Sequence, residues 1–382
     1  MTPENKEREA TLARRTFLRT MGGGLACCGV GVFGLPGIAA RYWSQDVPHR
    51  RLRINGNKVR TIDMHAHAYV HDVWPLIKDR EELRGLASVA ENMAKGPMAL
   101  DAKTIDARLK EMDRQSVDVH AVSLSQVQYH YWADPQLAAK IVEIQNEKLA
   151  EVCAAHPDRF VGLGGVSLQH PELAVAQMEY GVKKLKMRGF MIGGSVNGQE
   201  ISNPKFDPFW KKAEELGVVI FIHPAPFEPV SERMAGLEGT VTMPLETTVA
   251  LSHMILDGFL DRFAGIRILA AHGGGYLPSY IGRADSYNRG SANSQKIKRK
   301  PSDYLRGPQL YFDALVYNTE IIRHLVSTVG ASQVVLGTDF AFGATVWNRR
   351  PVEELLETPG LTLEEQNAIL GGNAARLLKL EA

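Results

Sequence analysis

From Val59 onward, short apolar runs rich in valine, isoleucine and leucine alternate with longer stretches whose apolar residues recur at helical spacing. That alternation predicts βα units around a parallel sheet. The runs are Val59–His67, Val117–Ser123, Phe160–Ser167, Gly189–Gly194, Val218–His223, Arg267–His272, Leu310–Leu315 and Val334–Asp339. Asp134-Pro135, His170-Pro171 and Asn203-Pro204 predict helix starts, because proline's missing N–H costs nothing in a first turn. Gly217 predicts a helix stop before the fifth strand. Eight such repeats over about 320 residues predict an α/β chain folded as a (β/α)8 TIM barrel with loop insertions. The barrel is expected to span 59–382, after a lead-in segment at 41–58.

Active sites of this architecture sit on the loops that follow the strands, so the long loops at 69–100, 225–244 and 285–309 matter most. The last carries Arg289, Lys296, Lys298, Arg299 and Lys300. No aromatic residues interleave these charges, so a solvated loop or subunit contact is expected rather than a nucleic-acid patch. The whole chain supports that reading: 44 Lys and Arg against 43 Asp and Glu leave a net charge of +1. There is no global field to attract nucleic acid or an anionic membrane, and small-molecule chemistry is favoured. Three cysteines make no disulfide framework; Cys27 and Cys28 lie near the N-terminus and Cys153 in the body.

Residues 1–40 have a different character. Arg14-Arg15-Thr16-Phe17-Leu18-Arg19 precedes a mild, glycine-rich apolar run from Met21 to Ala40. This order predicts a twin-arginine export signal and a periplasmic destination. Gly37 and Ala39 suit cleavage, whereas Leu25-Ala26-Cys27-Cys28 is only a loose lipidation box. A retained signal would instead be a membrane anchor; otherwise no stable membrane association is expected.

Several predicted strands end in residues that bind metals or carry protons. His65 and His67 are two apart on the first, so their imidazoles share a face. His223 closes the fifth strand, His272 the sixth and Asp339 the eighth. Each histidine alone is an ordinary core residue; together at one rim they suggest a site. Nitrogen and carboxylate donors suit zinc and similar divalent ions, and a shell with an open position is the catalytic kind.

The chain resembles the amidohydrolase-related family, and most nearly its aminocarboxymuconate-semialdehyde decarboxylase branch. The resemblance runs from about Thr61 to Leu378. It is carried by Ile62-Asp63-Met64-His65-Ala66-His67, Arg159-Phe160-Val161-Gly162-Leu163-Gly164, Pro171-Glu172-Leu173-Ala174-Val175, Met243-Pro244-Leu245-Glu246-Thr247-Thr248, Ala271-His272-Gly273-Gly274-Gly275 and Leu336-Gly337-Thr338-Asp339. It implies one divalent metal, usually zinc with manganese as the alternative, held by His65, His67, His223 and Asp339. It further implies that His272 stands beside the metal as acid/base, with Asp339 sharing in proton transfer. Gly189–Gly194 lacks the lysine that bridges two metals in wider relatives, and Lys186 is expected before the strand, so a mononuclear site follows. Arg283 matches an arginine that grips substrate carboxylate, and the branch commonly forms homodimers. The resemblance breaks in the first loop, where Glu91 to Leu100 has no arginine, and in the fifth, at Gly236-Leu237-Glu238-Gly239-Thr240.

A metal with an open position can assist decarboxylation of an aromatic or unsaturated acid, or hydrolysis of a lactone, ester or amide. The resemblance favours decarboxylation. A non-catalytic binding protein on the same barrel would be expected to have lost a ligand, and none is missing.

Overall fold

The computed structural model describes residues 52–54, 56–84, 86–225, 234, 236–290, 292–342 and 350–380. The export signal expected at 1–40 and most of the lead-in lie outside these residues. Eight parallel strands form the sheet: β1 Ile62–Ala68, β2 Val119–Leu124, β3 Phe160–Gly165, β4 Gly189–Ile192, β5 Val219–Ile222, β6 Arg267–Ala270, β7 Leu310–Asp313 and β8 Val334–Val335. They neighbour one another in chain order. Parallel bridges from Asp63 to Leu336 and from Ala66 to Phe340 return β1 to the segment after β8 and close the ring. This is the expected TIM barrel.

The helices between strands are α1 Ala102–Arg114, α2 Pro135–Ala155, α3 Pro171–Lys183, α4 Asp207–Leu216, α5 Met243–Leu256, α6 Leu277–Asn288 and α7 Thr319–Val329, with α8 Asn373–Leu378 closing the chain. Their ends follow local chemistry. The Asp134 carboxylate accepts from the amides of Gln136 and Leu137, capping α2 ahead of Pro135. Gly217 ends α4 in the left-handed conformation. Asn203-Pro204 starts a single 3-10 turn, Pro204–Phe206, that leads into α4.

Strands covered by helices outside and packed inside read as continuous apolar runs, which is why the pattern was visible in sequence. Val219, Ile220, Phe221 and Ile222 of β5 are all fully buried. Between sheet and helices lie Phe206, Phe209, Trp210 and Phe259, and the Trp210 indole N–H donates to the Ile201 carbonyl at 2.8 Å.

The ladders end sooner than the apolar runs. His223 lies one residue beyond β5, His272 two beyond β6 and Asp339 four beyond β8. His272 and Asp339 have φ of 55° and 59°. Both therefore sit in sharp turns at the rim, not inside the strands as the runs suggested. Side chains that must converge on one centre cannot all stand perpendicular to a twisted sheet, and the turns aim them inward.

Lys186 is exposed and donates to the Lys183 carbonyl in the α3-to-β4 turn, away from the rim. Lys296, Lys298, Arg299 and Lys300 lie exposed on the loop before β7, where Lys300 pairs with Asp303. Among the described residues, no helix is long and apolar enough to cross a membrane.

Candidate active site

His65 and His67 share the inward face of β1, and Asp339 is drawn to them because its amide donates to the His65 carbonyl at 2.9 Å. The Asp339 Oδ1 lies 3.5 Å from His65 Nε2 and 3.4 Å from His67 Nε2, and the two Nε2 atoms are 3.0 Å apart. His223 completes the group, its ring centroid 4.7 Å from that of His67 and 4.9 Å from that of His65. One donor atom from each of the four residues lies within 4.8 Å of all the others. Ligands about 2.1 Å from a shared ion, at right or tetrahedral angles, stand about 3.0–3.4 Å apart.

The hydrogen bonds behind the rings set which nitrogen is free. His65 Nδ1 meets Asp313 Oδ2 at 2.7 Å, His67 Nδ1 meets the Leu124 carbonyl at 3.2 Å, and His223 Nδ1 meets the Pro224 carbonyl at 2.9 Å. A carbonyl or carboxylate oxygen only accepts, so each Nδ1 carries the proton and each Nε2 is a bare lone pair. Two bare nitrogens 3.0 Å apart repel unless a cation lies between them. The donor set therefore fits a single divalent metal.

Burial favours the neutral ring at two of the three histidines. Burial drives the His223 and His67 imidazoles below their ordinary range; for His223 the neighbouring imidazoles add to it, while for His67 the adjacent Asp339 carboxylate only partly opposes it. Burial also lowers His65, but the hydrogen bond and charge of Asp313 outweigh it and raise the ring overall. A carboxylate behind a ligating histidine makes it a stronger donor. Burial raises Asp339 and Asp313, yet both end below the usual carboxylate range. The hydrogen bond of His65 on Asp313 and the adjacent His67 imidazole on Asp339 outweigh burial, with the nearby histidine charges assisting.

Asp313, at the end of β7, had no role in the sequence reading. Its Oδ2 accepts from His65 Nδ1 and from the His272 amide at 3.1 Å, and its Oδ1 from the amides of Gly273 at 2.9 Å and Leu315 at 3.2 Å. It joins a ligand histidine to the turn that carries His272. The signal available in sequence was an acidic residue inside the apolar run Leu310–Leu315.

His272 stands beside the cluster, its ring centroid 5.3 Å from that of His65 and 5.2 Å from that of His223. Its Nδ1 is buried with no hydrogen-bond partner among the described residues. Desolvation first, then the neighbouring His65 charge, pushes its pKa down to about 4. It is therefore neutral at neutral pH, with one bare nitrogen and one N–H. The glycines after it let neighbouring protein approach closely. A Cβ on Gly275, at φ 66°, would lie 2.1 Å from the Pro244 carbonyl oxygen.

Arg283 is exposed on α6, donating to the Tyr287 hydroxyl at 3.1 Å with its guanidinium 4.4 Å from that ring. Within one chain it engages Tyr287, not the cluster.

A family model described as Amidohydrolase matches residues 62–380. The chain belongs to the amidohydrolase family. Among curated proteins, this amidohydrolase is 31% identical over 344 residues to 2-amino-3-carboxymuconate-6-semialdehyde decarboxylase of Dictyostelium discoideum, covering 84% of this chain and 92% of that one. It is 26% identical over 294 residues to gamma-resorcylate decarboxylase of Rhodococcus jostii, covering 72% and 88%. Among solved structures, 5-carboxyvanillate decarboxylase from Sphingomonas paucimobilis superposes with a TM-score of 0.72 at 25% identity, over 85% of this chain and all of that one. Dihydroxybenzoic acid decarboxylase from Polaromonas, solved with manganese and 2-nitroresorcinol, shares the fold with a TM-score of 0.69 at 23% identity, over 84% and 97%.

Proposed function

We propose that this amidohydrolase is a metal-dependent carboxy-lyase that removes CO2 from an aromatic or unsaturated carboxylic acid. The observation that carries the reading is the three-histidine, one-aspartate cluster with His272 beside it. Its similarity over most of its length to a decarboxylase selects lyase chemistry over hydrolysis, which the same residues would permit.

His65, His67, His223 and Asp339 would hold the ion. The nitrogen-rich set suits zinc, and manganese is the alternative named with the Polaromonas relative. Such an ion supplies positive charge that polarises a substrate oxygen and stabilises the electron pair left when CO2 departs. The carbon–carboxyl bond breaks, its electron pair stays on the ring or chain carbon, and that carbon takes a proton. His272 is placed to deliver it. Its neutral ring takes a proton from solvent at the bare nitrogen, passes a proton to the carbon that lost CO2, and is neutral again at the end of the cycle. Asp313 fixes both the tautomer of His65 and the turn bearing His272, so ligand and proton carrier keep one geometry.

Arg283 is proposed to contact the substrate carboxylate across the interface of a homodimer. Tyr280, Arg283 and Tyr287 form an exposed stripe on successive turns of α6, which supports a covered face there. The paired arginines at 14–15 and the apolar run after them support export to the periplasm, where the acid would arrive from outside the cell.

Purified protein loaded with zinc or manganese, offered a panel of hydroxybenzoates, unsaturated diacids and lactones, should release CO2 from an acid. Acid release from a lactone without CO2 would overturn the lyase reading in favour of hydrolysis.

A further inference from the structure

Beneath the metal cluster runs a second set of buried polar residues that the chemistry above does not use. Asp63, Arg108, His120 and Thr338 are at most 1% exposed. We propose that Asp63, with His120 and Arg108 packed behind it, is the positioning residue that locks the two arms of the metal site, β1 and the loop after β8, into register. The proposal rests on the four-residue metal site.

Asp63 sits two residues before His65. Its Oδ1 accepts from the His65 amide at 2.9 Å and from the Thr338 amide at 3.0 Å, and its Oδ2 accepts from the Thr338 hydroxyl at 2.6 Å. Thr338 directly precedes Asp339, and its Oγ1 in turn accepts from the Phe340 amide at 3.1 Å. One carboxylate thus grips the backbone next to one ligand on β1 and next to another on the β8 loop. The two arms are 275 residues apart in sequence. Only a short ladder joins them, because β8 itself stops at Val335. The carboxylate adds its bonds to the few backbone bonds that join the arms, Met64 to Leu336 and Asp339 to His65 among them.

Arg108 reaches the same place from α1. Its Nη1 donates to the His67 carbonyl at 2.8 Å, and its guanidinium lies 4.4 Å from the centre of the Phe340 ring. Its Nε donates to His120 Nδ1 at 3.2 Å. Guanidinium only donates, so His120 Nδ1 must be bare and His120 Nε2 must carry the proton. His120 Nε2 lies 3.4 Å from Asp63 Oδ2 without a hydrogen bond between them. The imidazole, hydrogen-bonded to Arg108 alone, thus stands between the buried cation and the buried anion. A buried guanidinium without its anion is costly, so both ends are held in place by the same electrostatics. The backbone of His65 is fastened to Asp63 and that of His67 to Arg108, while Asp339 follows Thr338, which Asp63 grips. Groups that orient metal ligands from behind in this way typically contribute 10–100-fold in metal affinity.

The test uses chelator-treated full-length protein and manganese(II) in competition with a chelator, together with Tm in the presence and absence of the metal. Asp63→Asn keeps the shape but removes the charge and one acceptor. Thr338→Val removes only the hydroxyl, and Thr338→Ser restores it. Asp63→Asn and Thr338→Val should each weaken manganese binding at least tenfold and shrink the Tm increment that manganese confers. Thr338→Ser should return both to within about twofold of the parent, on the same scale. If the variants lower the Tm of the metal-free protein yet bind manganese as the parent does, the residues are structural only and the proposal is wrong. Failure of the parent protein to bind manganese would instead remove the metal site itself, and the proposal with it.

Discussion

Replacing Asp313 by asparagine is the sharpest probe of how this site is built. The carboxylate accepts four hydrogen bonds, two on each oxygen: His65 Nδ1 and the His272 amide on one, the Gly273 and Leu315 amides on the other. The asparagine amide offers one acceptor oxygen to four donors. If that oxygen stays with Gly273 and Leu315, the NH2 group confronts the His65 N–H and the His272 amide. Two hydrogen bonds to a charged acceptor are then lost, each contributing about 1.5–3 kcal/mol. His65 can recover one by moving its proton from Nδ1 to Nε2, and that is the expected outcome because a ring flip of protonation costs less than an orphaned donor. The proton then occupies the lone pair that points at His67 Nε2 and Asp339. The net result should be a stability loss of about 2 kcal/mol, which for a chain of this size lowers Tm by about 3 °C. Metal affinity should fall by about 10–100-fold. Wrong-tautomer histidines at catalytic sites have cost up to about 10⁴-fold in kcat. Manganese competition with a chelator, together with nitrogen NMR of the His65 ring, reads both effects. Unchanged affinity with His65 still protonated at Nδ1 would refute the reasoning.

Three further outcomes are expected. His272→Ala should keep most of the metal, measured by elemental analysis, but lose about 10²–10⁴-fold in kcat; metal loss matching that of His223→Ala would make His272 a ligand. Glu246 is buried and accepts from the Ser195 hydroxyl at 2.8 Å, and burial pushes its pKa up to about 7. Its protonated form is favoured in the fold, so stability is full below its ordinary pKa of 4.5 and is lost as pH rises through 7. The loss is on the order of 3 kcal/mol, so Glu246→Gln should flatten the fall of Tm between pH 5 and 8, and an unaltered slope would contradict this. Gly275→Ala should destabilise by about 3 kcal/mol or more, because the new Cβ meets the Pro244 carbonyl and φ is positive; denaturant titration would show it, and a loss under 1 kcal/mol would mean the α5 start yields easily.

The barrel was legible because its strands are buried on both faces and its helices on one, so hydrophobic period alone separates them. The ligands were legible because residues of chemical consequence closed successive apolar runs, and His65 and His67 alternate as strand neighbours must. A run of apolar residues, however, marks burial and not hydrogen bonding. Val334–Asp339 is apolar almost throughout, but only Val334 and Val335 form the ladder, and the turn with Asp339 at positive φ comes from closure of the ring onto β1. Asp313 was hidden for a related reason. An acidic residue at a strand end reads as an ordinary terminus until the fold sets it behind His65, 248 residues away. Arg108 and His120 look like a helix-surface cation and a core histidine, and only packing of α1 against β1 and β2 brings them to Asp63. Local sequence determines what each segment buries and which donor atoms it carries. Which nitrogen of His65, His67 or His223 is bare, and therefore whether the three can share one ion, depends on acceptors that distant segments or the next backbone carbonyl supply. Hydrogen bonds act over about 3 Å, a distance that only the closed tertiary structure specifies.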